Sequence, residues 1–214
     1  MCGRFALCAT ANELARQFRL DLAFEIEPRY NISPAEPVLA VRINDAKQRE
    51  LTHLVWGLIP FWAKDPTIGY KMFNARSETA WEKPSFKGAM RHKRCLIPAS
   101  GFYEWKKEGS KKQPYLISMT DSPLMGLGGL YDRWHSPDGS LIESCAILTM
   151  EPNELVAQAH DRMPVIIHPD DYDAWLSPDL QRANEVDRLI GAPPPERMRM
   201  VPRDPRDTGT GTEN

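Results

Sequence analysis

Strand signals in this chain are short, and local turn signals separate them. Apolar and β-branched runs cover residues 38–43, 51–58, 95–97, 101–106, 115–119, 124–131, 143–150 and 165–167. Asn44-Asp45 marks a turn after the first run, and 107–114 reads as a hairpin connection. Parallel strands need long crossovers, usually helices. The sequence shows few alternations of strand and long helix, so most neighbouring strands are expected to pair antiparallel. The fold class that follows is α+β, a single domain on a curved, largely antiparallel sheet with short peripheral helices.

The helices are modest. Thr10-Ala11-Asn12-Glu13 is a capping box, and Leu14 and Phe18 stand four apart, which predicts a helix to about Leu20. Residues 77–93 read as helical pieces broken at Pro84. Helices are also expected over 152–160, 170–176 and 180–190, with Pro152 tolerated in a first turn. Residues 28–37 and 60–69 read as loops. The folded domain is expected over 1–201. Residues 202–214 are expected to be a disordered tail, above all the Gly/Thr run at 208–212.

Composition narrows the function classes. A chain of 214 residues, 42% hydrophobic and with six tryptophans, can bury one substantial core. Its net charge of -2 carries no whole-chain signal for nucleic acid. The distribution is more telling, because Lys87, Arg91, Lys93, Arg94, Lys106, Lys107, Lys111 and Lys112 face only Glu104 and Glu108 within 87–112. Such a run is either a phosphate-binding patch or a solvated face. Cys2, Cys8, Cys95 and Cys145 show no zinc-like spacing, and the last three read as small buried thiols. That usage suits a reducing compartment. No apolar stretch is long enough for a membrane span and no signal peptide is recognisable, so a cytoplasmic protein without metal is expected.

Cys2 carries the distinctive chemistry. Met1 before a small residue is a usual substrate for methionine removal. Once Met1 leaves, Cys2 bears a thiol and a free α-amine on adjacent carbons, a 1,2-aminothiol. Such a pair condenses with an aldehyde to an imine, which the sulfur closes to a thiazolidine. Reference pKa values of about 7.7–8.0 for the amine and about 8.5 for the thiol leave both partly nucleophilic near neutrality. On position alone, Cys2 is equally readable as an early strand cysteine.

Four segments set polar groups among apolar neighbours: Met1-Cys2-Gly3-Arg4-Phe5, 73–79 (FNARSET), 101–106 (GFYEWK) and 160–164 (HDRMP). Together with 29–34 (RYNISP), 56–60 (WGLIP) and 98–105 (PASGFYEW), they closely resemble the SOS response-associated peptidase (SRAP) family. Members of that family process abasic sites in DNA. The resemblance spans most of the chain and implies a barrel-like SRAP fold. It implies covalent attachment through Cys2 to the aldehyde of an abasic deoxyribose in single-stranded DNA, by a monomer that needs no cofactor. The late closing segment of the family is not clear here, since Met200-Val201-Pro202-Arg203 stands in its place.

The resemblance also assigns roles. Cys2 is the nucleophile. Asn74 hydrogen-bonds near Cys2 and the sugar. Glu104 positions the amine and shuttles protons; read as a strand residue, it shares a face with Phe102, where burial raises a carboxyl pKa. His160 serves as general acid/base in ring opening or reversal. Arg4, Arg76 and Arg162 meet phosphates, Trp62 lies beside DNA, and Thr149 lines the site. β-Elimination as an AP lyase is a plausible side activity, because an imine acidifies the neighbouring carbon. Two alternatives stay open. One is a thiol peptidase or amidase with Cys2 as nucleophile and His160 as base. The other is a noncovalent single-strand-binding module.

Overall fold

The computed structural model describes residues 2–21 and 25–205. Met1 and the expected disordered run at 208–212 lie outside the described residues. The chain begins with β1 (Phe5–Leu7) and α1 (Ala11–Phe18), then β2 (Arg29–Ile32), β3 (Pro37–Ile43) and β4 (Arg49–Trp56). After a 3-10 turn at Pro66–Lys71 come β5 (Asn74–Arg76), α2 (Ser77–Ala80) and α3 (Lys87–His92). Five strands follow: β6 (Arg94–Ala99), β7 (Gly101–Glu108), β8 (Lys111–Met119), β9 (Met125–His135) and β10 (Leu141–Met150). The chain ends on β11 (Met163–Pro164), β12 (Ile166–Ile167), α4 (Tyr172–Leu176), α5 (Ala183–Val186) and β13 (Met198–Pro202).

Hydrogen bonding closes β10, β4, β3, β6 and β9 into a ring, because β9 returns to β10. Closure removes the exposed edges that five separate strands would carry. Only the β4–β10 contact in this ring is parallel. A second, fully antiparallel sheet runs β13-β8-β7-β1-β2. The two sheets share one core. Phe5 of the second sheet meets Trp56 of the ring edge to face, with centroids 5.2 Å apart. The expected α+β class, with a curved and largely antiparallel sheet, is what the chain adopts.

Several elements follow from local rules. Thr10 and Glu13 form the reciprocal capping box of α1, and Leu14 and Phe18 are its buried face. Gly57, at φ +150°, lets the chain after β4 approach Gly69; a Cβ there would sit 2.7 Å from the Gly69 carbonyl oxygen. This contact brings the two ends of the 57–69 loop together.

Other expectations need correction. Residues 152–160 hold a single 3-10 turn, Val156–Gln158, and not a helix. Asn153 caps this turn, with Oδ1 accepting from Val156 N–H at 3.0 Å, and its Nδ2 donates to Pro193 O at 2.8 Å. Ala157 N–H to Asn153 O and His160 N–H to Val156 O add two helical-type bonds, but the turn is not continued into a helix. The expected helix at 180–190 shortens to α5 and a 3-10 turn, Asp187–Leu189. The loop at 28–37 contains β2, and the 192–202 stretch contains β13, paired along β8 from Met198 to Pro202. Cys95 and Cys145 are fully buried, whereas Cys8 is only partly so. Among the described residues no helix is long and apolar enough to cross a membrane, and no group of three or more His, Cys, Asp or Glu is placed to hold a metal ion.

Arg94 ties the helical layer to the ring. Its guanidinium is buried and donates to the carbonyls of Trp175, Met90, Ser177 and Leu180 at 2.5–2.8 Å. It also lies over the Trp175 ring, 5.7 Å from the centroid. A lysine reaches fewer of these oxygens with a point charge. Arg94→Lys is therefore expected to lose about 2–4 kcal/mol in urea unfolding; an unchanged midpoint and slope contradict this role.

Candidate active site

The site begins with a short strand. Pairing of Phe5 with Phe102 and of Ala6 with Gly101 lays β1 on β7. Tyr103 N–H also donates to Arg4 O at 2.9 Å. This register sets Cys2 beside the buried end of β7. Cys2 is 0% exposed. Burial pushes its thiol pKa far up, and the negative charge of nearby Glu104 adds to the effect. The thiol is therefore held as S–H, with Sγ 3.9 Å from Arg4 O.

Glu104 lies on β7 with Phe102 two residues before it, and both are buried; Glu104 is 2% exposed. Burial raises its carboxyl from 4.5 to about 7. A carboxyl near 7 both takes and gives protons at neutral pH.

Asn74 comes from the other sheet system. β5 runs parallel to β10 with Asn74 beside Ile147 and Arg76 beside Thr149. Asn74 Nδ2 donates to Cys2 O at 2.8 Å, while its buried Oδ1 meets no hydrogen-bond donor among the described residues. The amide thus pins the cysteine by one end and keeps an acceptor open at the other.

His160 follows the 3-10 turn. Its Nδ1 accepts from Arg162 N–H at 3.0 Å, which places the neutral ring's proton on Nε2. Burial lowers the His160 pKa, favouring that neutral form. The Asp161 carboxylate stands 2.8 Å from the same nitrogen. These two contacts require opposite states of Nδ1, so the Asp161 bond belongs to the protonated ring.

The arginines differ. Arg4 donates to Asn31 Oδ1 at 2.7 Å. Arg76 is exposed at the start of α2. Arg162 grips Glu78 with two bonds, 2.7 and 2.8 Å, and donates to Thr149 O at 2.6 Å. Thr149 itself is fully buried, and its hydroxyl donates to Ala75 O at 3.4 Å. Cys2, Asn74, Glu104, Arg76, Thr149 and Arg162 thus form a linked group around the meeting of β1, β5, β7 and β10. Trp62 belongs to a different feature, a groove beside α3, and is 47% exposed. The basic run at 87–112 divides among α3 with its C-cap Lys93, the buried Arg94 at the start of β6, and the β7–β8 hairpin.

Sequence reasoning passed over Asn31 and Glu78 as site residues. Each stood inside a quoted segment, but their partners lie 27 and 84 residues away. Only the folded chain reveals those bonds.

Comparison with known proteins places this arrangement. Residues 1–206 match the family model described as SOS response associated peptidase (SRAP), so the chain belongs to that family. Among its relatives, the abasic site processing protein YoaM of Bacillus subtilis is 47% identical over 194 residues, covering 89% of this chain and 85% of that protein. The abasic site processing protein YedK of Escherichia coli is 32% identical over 199 residues, covering 87% and 85%. A crystal structure of a Bacteroides thetaiotaomicron protein superposes with a TM-score of 0.88 at 28% identity, over 99% of this chain and 97% of that one.

The Glu104 environment has a measurable cost. Its folded pKa near 7 lies above its unfolded value near 4.5. Folding therefore binds a proton between those pH values, and stability falls across that window as pH rises. The penalty is absent below about pH 4.5 and reaches about 3 kcal/mol above pH 7. Glu104→Gln removes it. In urea unfolding the variant is expected to gain up to about 3 kcal/mol over the parent at pH 8 and to show no such gain at pH 4. A difference that does not change with pH contradicts a shifted carboxyl.

Proposed function

We propose that this protein processes abasic sites in single-stranded DNA by covalent capture through Cys2. The observation that carries the reading is the placement of Cys2 beside a buried carboxyl that titrates near neutrality. Family membership supplies the electrophile, since the curated relatives are named abasic site processing proteins.

Removal of Met1 frees the Cys2 amine. Ionised Glu104 takes a proton from the ammonium, and the amine adds to the aldehyde carbon of the ring-opened sugar. Protonated Glu104 returns that proton to the carbinolamine hydroxyl, which leaves as water and gives the iminium, the protonated imine. Sulfur then bonds to the same carbon as its S–H proton passes to the ionised Glu104, and nitrogen keeps the one proton it already carries. The product is a thiazolidine, and the net loss is one water. A thiol kept protonated by burial suits this order, with amine first and sulfur second. It suits a thiol peptidase poorly, because such enzymes work through a thiolate with a depressed pKa.

Asn74 holds the Cys2 carbonyl and offers Oδ1 to the new amine or a sugar hydroxyl. Neutral His160, with its proton on Nε2, serves ring opening and reversal. Arg76 and Arg4 meet flanking phosphates, and Arg162 joins them from its seat on Glu78. β-Elimination competes only while the imine persists, since ring closure removes the acidifying group.

Intact mass spectrometry tests the reading. Tag-free protein mixed with an abasic oligonucleotide is expected to give the mass of Met1-less protein plus DNA, less one water. Cys2→Ala is expected to give no stable adduct, and Glu104→Gln to form it about a hundredfold more slowly. An equal adduct yield from Cys2→Ala sinks the proposal.

A further inference from the structure

The sheet β13-β8-β7-β1-β2 has an outer face that the site does not use. Successive strand residues point to opposite sides of a sheet. Glu104 points inward, where its charge acts on Cys2, so Tyr103 points outward. Register carries this parity across the sheet. Tyr103 pairs with Leu116, and Leu116 with Val201. Ser118 pairs with Arg199 on one side of that row, and Arg203 N–H donates to Pro114 O at 2.9 Å on the other. Beyond Pro114, Lys107 pairs with Lys112. The outer face is therefore an apolar row flanked by cations. Its strands put no carboxylate there. Glu104 and Glu108 of β7 share the inward parity, and β8, β13, β1 and β2 contain no acidic residue.

A groove of about 720 Å³ follows the apolar row. Tyr30, 65% exposed, and Val201, 39% exposed, both line it. Large apolar side chains left open together mark a contact surface. The floor is held in place. Tyr103 O–H donates to Tyr30 O at 2.9 Å, Cys8 N–H donates to Ser100 Oγ at 2.8 Å, and Arg199 Nε donates to Ser118 Oγ at 3.0 Å. Arg199 and Arg203 are exposed beside it. Among the described residues that line the groove none is acidic, and Asp204, next to Arg203, does not line it.

This pattern selects a partner by charge. Apolar side chains of a short peptide fill the row. Its carboxylates reach Arg199 and Arg203, whose planar forks take them two bonds at a time. Lys107 and Lys112 add attraction at longer range. The groove opens on the opposite side of β7 from Cys2, so it is no extension of the Cys2 site.

We propose that the outer face of this sheet docks an acidic peptide segment of a partner protein, with apolar side chains on Tyr30, Leu116 and Val201 and carboxylates on Arg199 and Arg203. The inference stands apart from the abasic-site reading.

Fluorescence anisotropy with a labelled peptide of alternating glutamate and leucine tests it, across a salt series. The intact protein is expected to bind this peptide saturably, and more weakly as salt rises. A glutamine–leucine version is expected to bind about tenfold more weakly. Arg199→Glu/Arg203→Glu is expected to weaken the acidic peptide about tenfold and Val201→Ala about threefold, while Arg199→Lys/Arg203→Lys retains most of the affinity. Arg16→Glu/Arg182→Glu, which makes the same charge change away from this sheet, serves as the control. Absence of saturable binding, or a loss in Arg199→Glu/Arg203→Glu no greater than the control's, overturns the proposal. Concentration-dependent dimerisation that Val201→Glu abolishes also overturns it and gives the face to a second copy. Covalent capture of an abasic strand is expected at the parent rate in Arg199→Glu/Arg203→Glu. Capture slowed beyond the control's gives the face to nucleic acid and overturns the proposal as well. Failure of capture in the parent, with peptide binding intact, rejects the covalent reading alone.

Discussion

Three residues of strand hold this site together. Chain termini usually fray unless something ties them down. Here β1 is bonded on both sides, to β2 through Phe5 and Leu7 and to β7 through Phe5 and Ala6. The Tyr103 N–H bond to Arg4 O extends that attachment toward Cys2. Asn74 completes it from β5, on the far side of the shared core. A nucleophile on a free terminus would sample many positions. Cys2, the nucleophile proposed above, is fixed in this way, which lowers the entropic cost of reaching a reactive geometry.

The same fixation imposes the buried carboxyl. Laying β1 against β7 covers Glu104 as well as Phe102, and burial disfavours its charge. A core optimised only for stability would hold an apolar residue there. The carboxyl instead titrates near the pH at which an amine must lose a proton and a hydroxyl must gain one. The stability given up at Glu104 is thereby coupled to the proposed chemistry.

Parts of this were legible beforehand because they depend on neighbours in sequence. Thr10 and Glu13 announce α1 by a local bond pair. Glu104 is readable as inward-facing because strand alternation places it with Phe102. Pro84 separates α2 from α3 by its own ring. Other parts depend on partners far away and left no local trace. β5 is three residues long and polar at both ends, and it is a strand only because β10 pairs with it. β13 lies in a proline- and arginine-rich stretch whose pairing comes from β8. At 152–160 a helical pattern is realised only as the turn Val156–Gln158, capped by Asn153. The site residues were named by family resemblance more than by pattern. The Arg162–Glu78 pair and the tautomer of His160 emerged only from geometry.

The central claim is that pinning the amino end against β7 creates a carboxyl poised near neutrality beside Cys2. Carbon-13 NMR titration of the glutamate side-chain carboxyls reads it directly, with Glu104 assigned by its disappearance in Glu104→Gln. The expected result is one carboxyl with a midpoint near 7. A Glu104 midpoint near 4.5, in the ordinary carboxylate range, contradicts the account.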